Sequence, residues 1–581
     1  MRPKPNYLKT DYSSIPDMFF KNAERLGHKV FEYYKDGKEW KKSTYSETAE
    51  NVLKVASSLL SSGVRKGDRV AIISSPRREW VYCDIAIQSI GAITVPIYPN
   101  ITAGQTEYIL KDSIPKMIFA ENISIAKNKL KSQKQRVVVF KHGEEKSENW
   151  TYFNSFLNEG GDSKEILKKL KDITYNDVAT IVYTSGTTGE AKGVIQTHGN
   201  IISMLDSVSQ IIRVLEDDVV FIWLPLAHTF GRLAEFYSIY NGIAMAYAEG
   251  IAKFLDNIKE IKPTIFPSVP RIYEKAYETI IERSRKNKIS EILFAHSVDV
   301  GKKVEKMRLE RELIPFSLRI KHKILDRIVL SKIRDAFGGR IRFCISGGAP
   351  LSKDLAEFFS GIGILVLEGY GLTETCPVVT VNRIDKYKFG SVGLPLPGVS
   401  VKIADDGEIL LKAPQVAHKG YYKKTEITNE MFDEDGWLKT GDIGYIDEDG
   451  FVFITGRKKE IIVNSFGKNI APSPIETELC KHPLINSAFV YGDSKPYVVA
   501  ILALNKTESE KIQKEKLRFE VKKIVDRVNE NLSDFEKIRR FCIVKDEWTT
   551  ETGELTPTLK IKRDALYEKY KNEIESMYGK L

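Results

Sequence analysis

Buried strands alternate with helices early in this sequence, and that alternation constrains the fold more than any other feature. RVAIIS (residues 69–74) is a short apolar run of the kind that forms a buried strand. PRREWVYCDIAIQSIG then has the apolar spacing of a helix, and AITVPIYP forms a second strand. A strand–helix–strand unit of this length predicts a parallel sheet covered by helices. We therefore expect an α/β fold.

The chain is too long for one hydrophobic core. It has 581 residues, whereas single cores stop growing beyond roughly 250–300 residues. GDIGYIDEDGFVFITGR (residues 441–457) predicts a hairpin around the acidic turn DEDG, and short strands then alternate with Lys/Glu-rich helices, one of them amphipathic over residues 510–532. We place a boundary near residues 455–459, between a large domain (1–457) and a small α+β domain (458–581).

Composition excludes several classes of protein. Hydrophobic residues make up 42% and charged residues 29%, as in soluble globular proteins. The cysteines are scattered, odd in number and never spaced C-x-x-C, which favours reduced, buried thiols and a cytoplasmic location over disulfides or a zinc site. The N-terminal segment MRPKPNYLKTDYSS lacks the apolar run of a signal peptide, and no stretch reaches the roughly 18 uninterrupted apolar residues of a membrane span. The net charge of +10 fits anionic small molecules, an acidic membrane surface or nucleic acid.

YTSGTTGEAKGV (residues 183–194) is close to the phosphate-binding loop G-x-x-x-x-G-K-[ST] but departs from it, because Ala191 and Gly193 replace its second glycine and its magnesium-binding hydroxyl. A strand precedes it, and QTHGNIISMLDSVSQII reads as a helix with Asn200 as its cap, so we expect a strand-to-helix loop. Its hydroxyls, free backbone N–H groups and Lys192 suit a polyphosphate. An ordinary Ser/Thr/Gly turn is the alternative.

Other motifs are weak when taken singly. EGYGLTET (residues 368–375) offers Tyr370 for stacking on a base and Glu374 as a hard oxygen ligand for Mg²⁺, or is a turn with a solvated acid. Asp442 and Arg457 suit ribose hydroxyls or phosphate, or form a surface ion pair. Taken alone, Lys560 is one lysine among several near the end of the chain. His228 and Phe230 have structural roles as their simpler explanation, as a satisfied histidine and a core aromatic.

The order of the motifs along the chain is far more specific than any one of them. The chain resembles the AMP-forming acyl-CoA synthetases of the adenylate-forming superfamily over about residues 15–565, and within them the long-chain fatty acid–CoA ligases. The motifs that carry the resemblance are YTSGTTGEAKGV, LPLAHTFGR, PSVPRIYEK, SGGAPL, EGYGLTET, GSVGLPLPG, TGD, GRKKEIIVNSFGKNIAPSPIE and LTPTLKIKR. The resemblance implies a large domain of parallel and mixed sheets with helices and a β-barrel-like subdomain, followed by a mobile α+β lid.

The resemblance also implies roles for individual residues. The loop from Thr184 to Lys192 closes over the β- and γ-phosphates of ATP, Tyr370 stacks on adenine, Thr373 contacts the α-phosphate and Glu374 binds Mg²⁺. Asp442 holds the ribose, with Arg457 nearby. The remaining nucleotide-binding positions are Ser185, Gly186, Thr187, Thr188, Gly189, Gly347, Gly348, Ala349, Glu368, Gly369 and Gly371.

Four positions are assigned to the acyl site and to domain movement by the same resemblance. His228 borders the acyl site, and Lys560 reaches the carboxylate and α-phosphate during adenylation. Lys459 occupies the hinge, where many relatives carry an acidic residue, and Gly467 lies in a loop that borders the CoA channel.

The implied chemistry has two steps. A carboxylate oxygen attacks the α-phosphorus of ATP, giving acyl-AMP and pyrophosphate, and the CoA thiol then attacks the acyl carbonyl and releases AMP. Lys192, Lys560 and Mg²⁺ neutralise negative charge in the first step. The general base of the second step is left open, with His228 as one option. The alternatives are an acyl-AMP ligase, a ligase for shorter or aryl acids, and a nucleotide-binding regulatory protein without turnover.

Residues 281–340 form a basic segment with 16 Lys/Arg against 8 Asp/Glu, and it reads as long helices. A solvated helical face is one interpretation. The other is a peripheral platform on anionic lipid at the inner membrane face that receives fatty acid. No motif supports nucleic acid binding. The oligomeric state is left open, with a homodimer as one option.

Overall fold

The computed structural model describes residues 10–130, 133–141, 143, 147–148, 150–184, 191–550, 552–556 and 560–579. Its described residues divide into two compact units. The first lies within Met1–Thr184, Ala191–Val401 and Leu411–Leu438, and the second within Lys402–Leu410 and Lys439–Leu581. Each unit is described by itself below.

The strands, numbered in chain order, are β1 (Val30–Asp36), β2 (Glu39–Thr44), β3 (Arg69–Ile73), β4 (Ile93–Ile97), β5 (Met117–Ala120), β6 (Arg136–Val139), β7 (Trp150–Tyr152), β8 (Val178–Thr184), β9 (Lys192–Thr197), β10 (Val219–Ile222), β11 (Ala244–Tyr247), β12 (Ile265–Ser268), β13 (Phe343–Ser346), β14 (Val366–Tyr370), β15 (Thr380–Val381), β16 (Leu394–Pro395), β17 (Ser400–Ile403), β18 (Glu408–Lys412), β19 (Leu438–Ile446), β20 (Val452–Arg457), β21 (Ile462–Val463), β22 (Asn469–Ile470), β23 (Ile485–Tyr491), β24 (Val498–Leu504) and β25 (Ile538–Val544).

The α-helices are α1 (Ile15–Leu26), α2 (Tyr45–Ser61), α3 (Arg78–Ser89), α4 (Ala103–Ser113), α5 (Ile123–Lys129), α6 (Phe153–Leu157), α7 (Lys164–Lys169), α8 (His198–Ile211), α9 (Thr229–Asn241), α10 (Phe254–Ile261), α11 (Pro270–Ser284), α12 (Lys288–Leu309), α13 (Phe316–Leu325), α14 (Ser331–Ala336), α15 (Lys353–Gly361), α16 (Thr425–Glu430), α17 (Pro472–Cys480), α18 (Lys506–Glu510), α19 (Lys514–Glu530), α20 (Arg563–Lys569) and α21 (Lys571–Tyr578). Short 3₁₀ turns lie at Leu170–Asp172, Ile251–Lys253, Thr373–Thr375 and Lys458–Glu460, and a π-helical turn lies at Asp326–Leu330.

The first unit contains a seven-stranded sheet in the order β7-β6-β5-β3-β4-β8-β9. Strand β3 pairs in parallel with β4 and with β5, as the strand–helix–strand pattern predicts. Helix α3, between β3 and β4, buries ten consecutive residues from Trp80 to Ser89, so it is covered on all sides. The expected α/β fold is confirmed.

A nine-stranded sheet in the same unit has the order β16-β15-β14-β13-β12-β10-β11-β1-β2. Its central strands β12, β13 and β14 are parallel, so their carboxyl ends meet along one edge. The loops that follow strands at such an edge are where α/β sheets bind ligands. The segments SGGAPL and EGYGLTET begin in or directly after two of these strands.

A four-stranded sheet has the order β17-β18-β19-β20. Strands β19 and β20 form the hairpin predicted from the sequence, with Gly450 N–H bonded to the Asp447 carbonyl in its turn. In the second unit, a three-stranded sheet in the order β23-β24-β25 is covered by α17, α19 and α21. Helix α19 lies within the range predicted to be amphipathic and buries only Val521, Ile524, Val525 and Val528.

The basic segment is helical, as expected, and contains the last turn of α11 and all of α12, α13 and α14. Helix α12 packs against α15 at a glycine pair, where a Cβ on Gly301 would lie 1.9 Å from the Gly361 carbonyl oxygen. This close approach fixes the segment on the α/β core. Among the described residues, no helix combines the length and the apolarity that a membrane span needs.

Two sequence expectations about the opening motif are wrong. The segment after the motif is strand β9, which pairs antiparallel with β8, so the motif lies in a hairpin and not in a strand-to-helix loop. The cap of α8 is Thr197, and Asn200 is its partner at the third helical position. Both expectations fail at the six-residue strand KGVIQT, whose first three residues overlap the motif and whose last two overlap the predicted start of the helix.

All five cysteines are free thiols. Cys83, Cys344 and Cys376 are buried, as expected, whereas Cys480 and Cys542 are only partly buried.

Candidate active site

The two ends of the phosphate-loop motif are fixed by the β8/β9 hairpin. Thr184 and Lys192 are cross-strand partners, and the Thr184 hydroxyl lies 3.5 Å from the Lys192 carbonyl oxygen. Five predicted phosphate contacts lie outside the described residues: Ser185, Gly186, Thr187, Thr188 and Gly189. The hairpin therefore places Lys192 at the start of β9, and the paired strand β8 leads into the loop.

Lys192 and Glu374 are brought to one place by a residue that the sequence analysis did not identify, Tyr421. The Tyr421 hydroxyl donates a hydrogen bond of 2.6 Å to Glu374 Oε1. The Lys192 ammonium lies 5.4 Å from the centre of the same ring, within the range of a cation–π contact. Burial, followed by the negative charge of Glu374, raises the pKa of Tyr421 above its ordinary value, so the phenol remains a hydrogen-bond donor.

The backbone that carries Thr373 and Glu374 is held from two sides. The Gln196 side-chain amide, on β9, donates to the Thr373 carbonyl at 2.7 Å. The Ala417 N–H donates to the Glu374 carbonyl at 2.8 Å. Just before this turn, a Cβ on Gly371 would lie 1.9 Å from the Pro377 carbonyl oxygen, so only glycine fits without a shift of the backbone.

The loop after β13 contains Gly347, Gly348 and Ala349. The Gly347 N–H donates to the Ser268 carbonyl at 3.3 Å, and Gly348 adopts a φ of 84°, a left-handed conformation that favours glycine. A Cβ on Gly347 would lie 3.5 Å from the Phe230 ring. The segments SGGAPL and LPLAHTFGR therefore meet at Gly347 and Phe230.

Strand β14 carries Glu368, Gly369 and Tyr370. Glu368 is buried and accepts a hydrogen bond of 3.0 Å from the Leu351 N–H. Burial raises the pKa of Glu368 to about 8, against the effect of that hydrogen bond. Gly369 pairs with Val381 on β15, and Tyr370 pairs with Thr380. The Tyr370 side chain is buried.

His228 is the N-cap of helix α9, and its Nδ1 accepts a hydrogen bond of 3.1 Å from the Phe230 N–H. This contact fixes the orientation of the imidazole. His228 thus has a structural role, because it caps the helix that begins at Thr229.

A buried charge network anchors the same helix, and no sequence motif identified it. Arg232 on α9 donates two hydrogen bonds of 2.6 Å to the Asp84 carboxylate on α3 and one of 2.7 Å to the Thr180 hydroxyl on β8. One turn further along, Glu235 is fully buried, and neither of its carboxyl oxygens has a hydrogen-bond partner among the described residues. Burial, followed by the charge of Asp84, raises the pKa of Glu235 well above its ordinary value.

In the second unit, Asp442 and Arg457 are cross-strand partners on β19 and β20. Arg457 Nε lies 2.9 Å from Asp442 Oδ1, and the Asp442 side chain is 5% exposed while that of Arg457 is 42% exposed. The ion pair weighed as the simpler explanation is therefore present. The arginine keeps much of its surface accessible to a ligand.

Lys560 lies beside a small bridged turn. Leu555 pairs with Ile561, and the Thr556 N–H donates to the Lys560 carbonyl at 2.7 Å. The residue is exposed, yet desolvation by the surrounding protein lowers its pKa to about 8. The positive charge of Arg457 acts in the same direction, and Asp442 and Glu460 oppose it. The charge of Lys560 is thus affected by two of the predicted nucleotide-site residues, Asp442 and Arg457, within this unit.

Lys459 and Gly467 lie in exposed turns of the same unit. Lys459 is in the 3₁₀ turn that directly follows β20. Gly467 has a φ of 71°, and its N–H donates to the Asn464 carbonyl at 2.9 Å. Phe466, beside it, is 73% exposed.

Comparison with known families identifies the family of this chain. The sequence profile of the AMP-binding enzyme family matches residues 19–422, and that of the AMP-binding enzyme C-terminal domain matches residues 459–581. The chain belongs to the AMP-binding enzyme family. These two matches cover both the hairpin that carries Lys192 and the turn that carries Lys560.

Two curated relatives extend over nearly the whole of this AMP-binding enzyme. It is 36% identical over 568 residues to the long-chain-fatty-acid–CoA ligase FadD15 of Mycobacterium bovis, covering 93% of each chain. It is 30% identical over 624 residues to the long-chain-fatty-acid–CoA ligase ACSBG2 of Mus musculus, covering 97% of this chain and 93% of the relative.

A solved structure shows the same fold. The o-succinylbenzoate coenzyme A synthetase MenE of Bacillus subtilis, in complex with ATP and magnesium ion, superposes with a TM-score of 0.70 at 23% identity, covering 94% of this chain and 98% of that one. The expectation of an adenylate-forming fold is confirmed for this AMP-binding enzyme.

Proposed function

We propose that this AMP-binding enzyme is a long-chain fatty acid–CoA ligase that uses ATP and CoA and forms AMP. The observation that carries the proposal is the 36% identity to a long-chain-fatty-acid–CoA ligase over 93% of both chains. The motifs that the resemblance depends on span the same length. Lys192, Tyr421 and Glu374 also cluster at one place in the first unit, as a nucleotide site requires.

Charge neutralisation is the task of the lysines in the adenylation step. The attacking carboxylate and the α-phosphate are both negative, so the step needs cationic groups placed in advance. Lys192 would hold the β- and γ-phosphates, and Lys560 would contact the carboxylate and α-phosphate. The remaining contacts follow the resemblance: Tyr370 on adenine, Thr373 on the α-phosphate, and Asp442 with Arg457 on the ribose.

Glu374 fits the Mg²⁺ that accompanies ATP. Its carboxylate supplies the hard oxygen that this cation prefers, and the Tyr421 hydroxyl already fixes the position of Oε1. Bound magnesium would supply further positive charge to the phosphates. The solved MenE structure contains ATP and magnesium ion on the same fold.

The second step exchanges AMP for the CoA thiol. The thiol loses its proton and attacks the acyl carbonyl, and AMP leaves with the bonding electrons. We propose that residues 458–581 act as a lid, that Lys459 is its hinge and that the loop around Gly467 borders the CoA channel. Exposed turns at both positions support this assignment, because each permits a change of backbone angles.

Substrate class is tested with a series of acids. ATP-dependent, CoA-dependent AMP formation is measured for acids from acetate to stearate and for benzoate, at equal concentrations. We expect kcat/KM to rise with chain length and to be highest for long chains. A preference for benzoate would support the alternative ligase function, since the MenE structure shows that this fold accommodates a ligase for an aryl acid.

We also propose that the basic segment docks on an anionic bilayer. It carries an apolar stripe, which we define as Leu313, Phe316, Ile320, Ile324 and Ile328, with exposures of 95, 77, 45, 53 and 46%. From Phe316 onward these residues recur every four positions, so they share one side of the helical segment. Exposed apolar patches that are rimmed by polar residues commonly mark an interaction site for a protein or a membrane.

Basic residues flank the apolar stripe, and their positive charge favours an anionic partner. Arg319, Lys321, Lys323 and Arg327 are exposed beside it. A helix with large apolar side chains on one side and Lys/Arg around them lies in the headgroup region of acidic lipid. This surface would give the enzyme access to fatty acid dissolved in the membrane.

Vesicle flotation tests the docking surface. The double variant Phe316→Ser/Ile320→Ser keeps every charge but is expected to bind phosphatidylglycerol vesicles about tenfold or more weakly, because two apolar side chains no longer leave water. Wild-type binding should decrease with salt and be weak on phosphatidylcholine. A control is Lys514→Ser/Lys516→Ser, on exposed helix α19. Unchanged flotation of the stripe variant, or a wild-type dimer that the variant converts to monomer, would contradict docking on lipid.

A further inference from the structure

Tyr421 is held in a fixed register beside the strand that begins with Lys192. The Ile195 N–H donates to the Gly420 carbonyl at 2.9 Å, and the Tyr422 N–H donates to the Gly193 carbonyl at 2.7 Å. Val194 and Tyr421 form the antiparallel bridge between these bonds. The segment around Tyr421 thus extends the edge of strand β9 and is paired with the strand that begins at Lys192.

A second anchor fixes the same backbone. The Tyr421 N–H donates to the Thr428 hydroxyl at 2.9 Å, and the Thr428 hydroxyl donates to the Lys424 carbonyl at 2.7 Å. The side chain is therefore presented from a closed turn that ends in helix α16. Rigid support of this kind is what the positioning of a metal ligand or a phosphate ligand requires.

The side chain contacts two oppositely charged groups of the proposed site. Its hydroxyl donates to Glu374 Oε1 at 2.6 Å. Its ring face lies 5.4 Å from the Lys192 ammonium. Tyr421 is thus the direct link between the residue proposed for magnesium and the residue proposed for the phosphates.

We propose that Tyr421 is a positioning residue for adenylation. Its hydroxyl occupies one oxygen of Glu374 and so directs the other oxygen toward the cation that accompanies ATP. Its ring holds the Lys192 ammonium apart from that carboxylate, so that the lysine remains available to phosphate. The proposal rests on the function proposed above, and it assigns Tyr421 no contact with substrate.

Tyr421→Phe isolates the hydroxyl because it retains the ring. We expect the Mg²⁺ concentration that gives half-maximal ATP–pyrophosphate exchange to rise about tenfold, as when a group that orients a metal ligand is lost. Saturating Mg²⁺ should restore most of the rate. Attack of CoA on supplied acyl-AMP should stay within about twofold of wild type, since that step occurs after pyrophosphate has left.

A binding measurement gives a readout that does not depend on turnover. Thermal unfolding is followed with ATP alone and with ATP plus Mg²⁺. Wild type should gain additional stabilisation from Mg²⁺, because a ligand that binds only the folded state raises the transition temperature. Tyr421→Phe should keep the gain from ATP alone and lose most of the increment from Mg²⁺.

Two further variants serve as comparisons. Tyr421→Leu removes the ring as well, and we expect an additional rise in the KM for ATP that Mg²⁺ does not correct. Tyr422→Phe is the matched control, because Tyr422 packs with Tyr183 in a separate apolar cluster and its Mg²⁺ requirement should equal that of wild type.

Several outcomes would overturn the assignment. They are an unchanged Mg²⁺ requirement in Tyr421→Phe, an unchanged Mg²⁺ increment in its thermal stability, or an equal loss in both half-reactions together with a lower transition temperature. Failure of the proposed function is distinguishable, because wild type would then form no AMP with any acid while the ATP and Mg²⁺ stabilisation would still report on Tyr421.

Discussion

Lys560→Ala is expected to abolish ATP-dependent acyl-AMP formation and to leave CoA attack on supplied acyl-AMP largely intact. The lysine would neutralise charge only while the carboxylate attacks the α-phosphate. Loss of such a pre-placed charge costs on the order of 10²–10³-fold in rate. The two half-reactions are measured separately, as fatty acid-dependent ATP–pyrophosphate exchange and as acyl-CoA formation from synthetic acyl-AMP.

The pH dependence provides an independent check on the same residue. The pKa of Lys560 is lowered to about 8, so the ammonium is present below that pH and is lost as pH rises through it. We expect kcat/KM for ATP in the exchange reaction to decrease above about pH 8, because this ratio reports groups of the free enzyme. Lys562→Ala, two residues away, is the control and should retain exchange activity. Equal loss of both half-reactions in Lys560→Ala would refute the separate roles.

Arg232→Met is expected to cause the largest loss of stability, about 3–5 kcal/mol in the free energy of unfolding. The substitution leaves the Asp84 carboxylate fully buried without the guanidinium that now donates to both of its oxygens. Chemical denaturation followed by tryptophan fluorescence measures the effect, and Trp80 lies beside Arg232, 5.4 Å from the guanidinium carbon to the ring centre.

Replacing both Arg232 and Asp84 shows whether the loss of stability comes from an unpaired buried charge or from lost packing. Asp84→Leu/Arg232→Met removes the isolated carboxylate, so we expect it to be more stable than Arg232→Met alone. Lys303→Met serves as the surface control, because its pair with Asp299 is more than half exposed and should change stability by less than about 1 kcal/mol. A double variant as unstable as the single one would contradict the buried-charge explanation.

The sequence predicted those parts of the molecule that depend on local pattern. The apolar run of β3 and the helical spacing of α3 identify a parallel sheet, and the acidic turn DEDG identifies the β19/β20 hairpin. These features depend on residues close together in the chain. The β8/β9 hairpin was missed because a six-residue strand next to a helix has too little periodicity to be separated from it.

Contacts between distant segments could not be predicted in the same way. Tyr421 reaches Glu374 across 47 positions of sequence, and Arg232 reaches Asp84 across 148. Tyr421 lies in GYYKK and Arg232 ends LPLAHTFGR, and neither local sequence marks its residue as the partner of a carboxylate. The ordered series of motifs identified the family, whereas the groups that orient its charged residues required the structure.

The most direct test of the proposed function is AMP release from ATP on addition of palmitate, measured with and without CoA. A long-chain fatty acid–CoA ligase should release AMP continuously only when CoA is present, with palmitoyl-CoA formed in equal amount. AMP release that does not need CoA, or the absence of palmitate-dependent AMP altogether, would contradict the account.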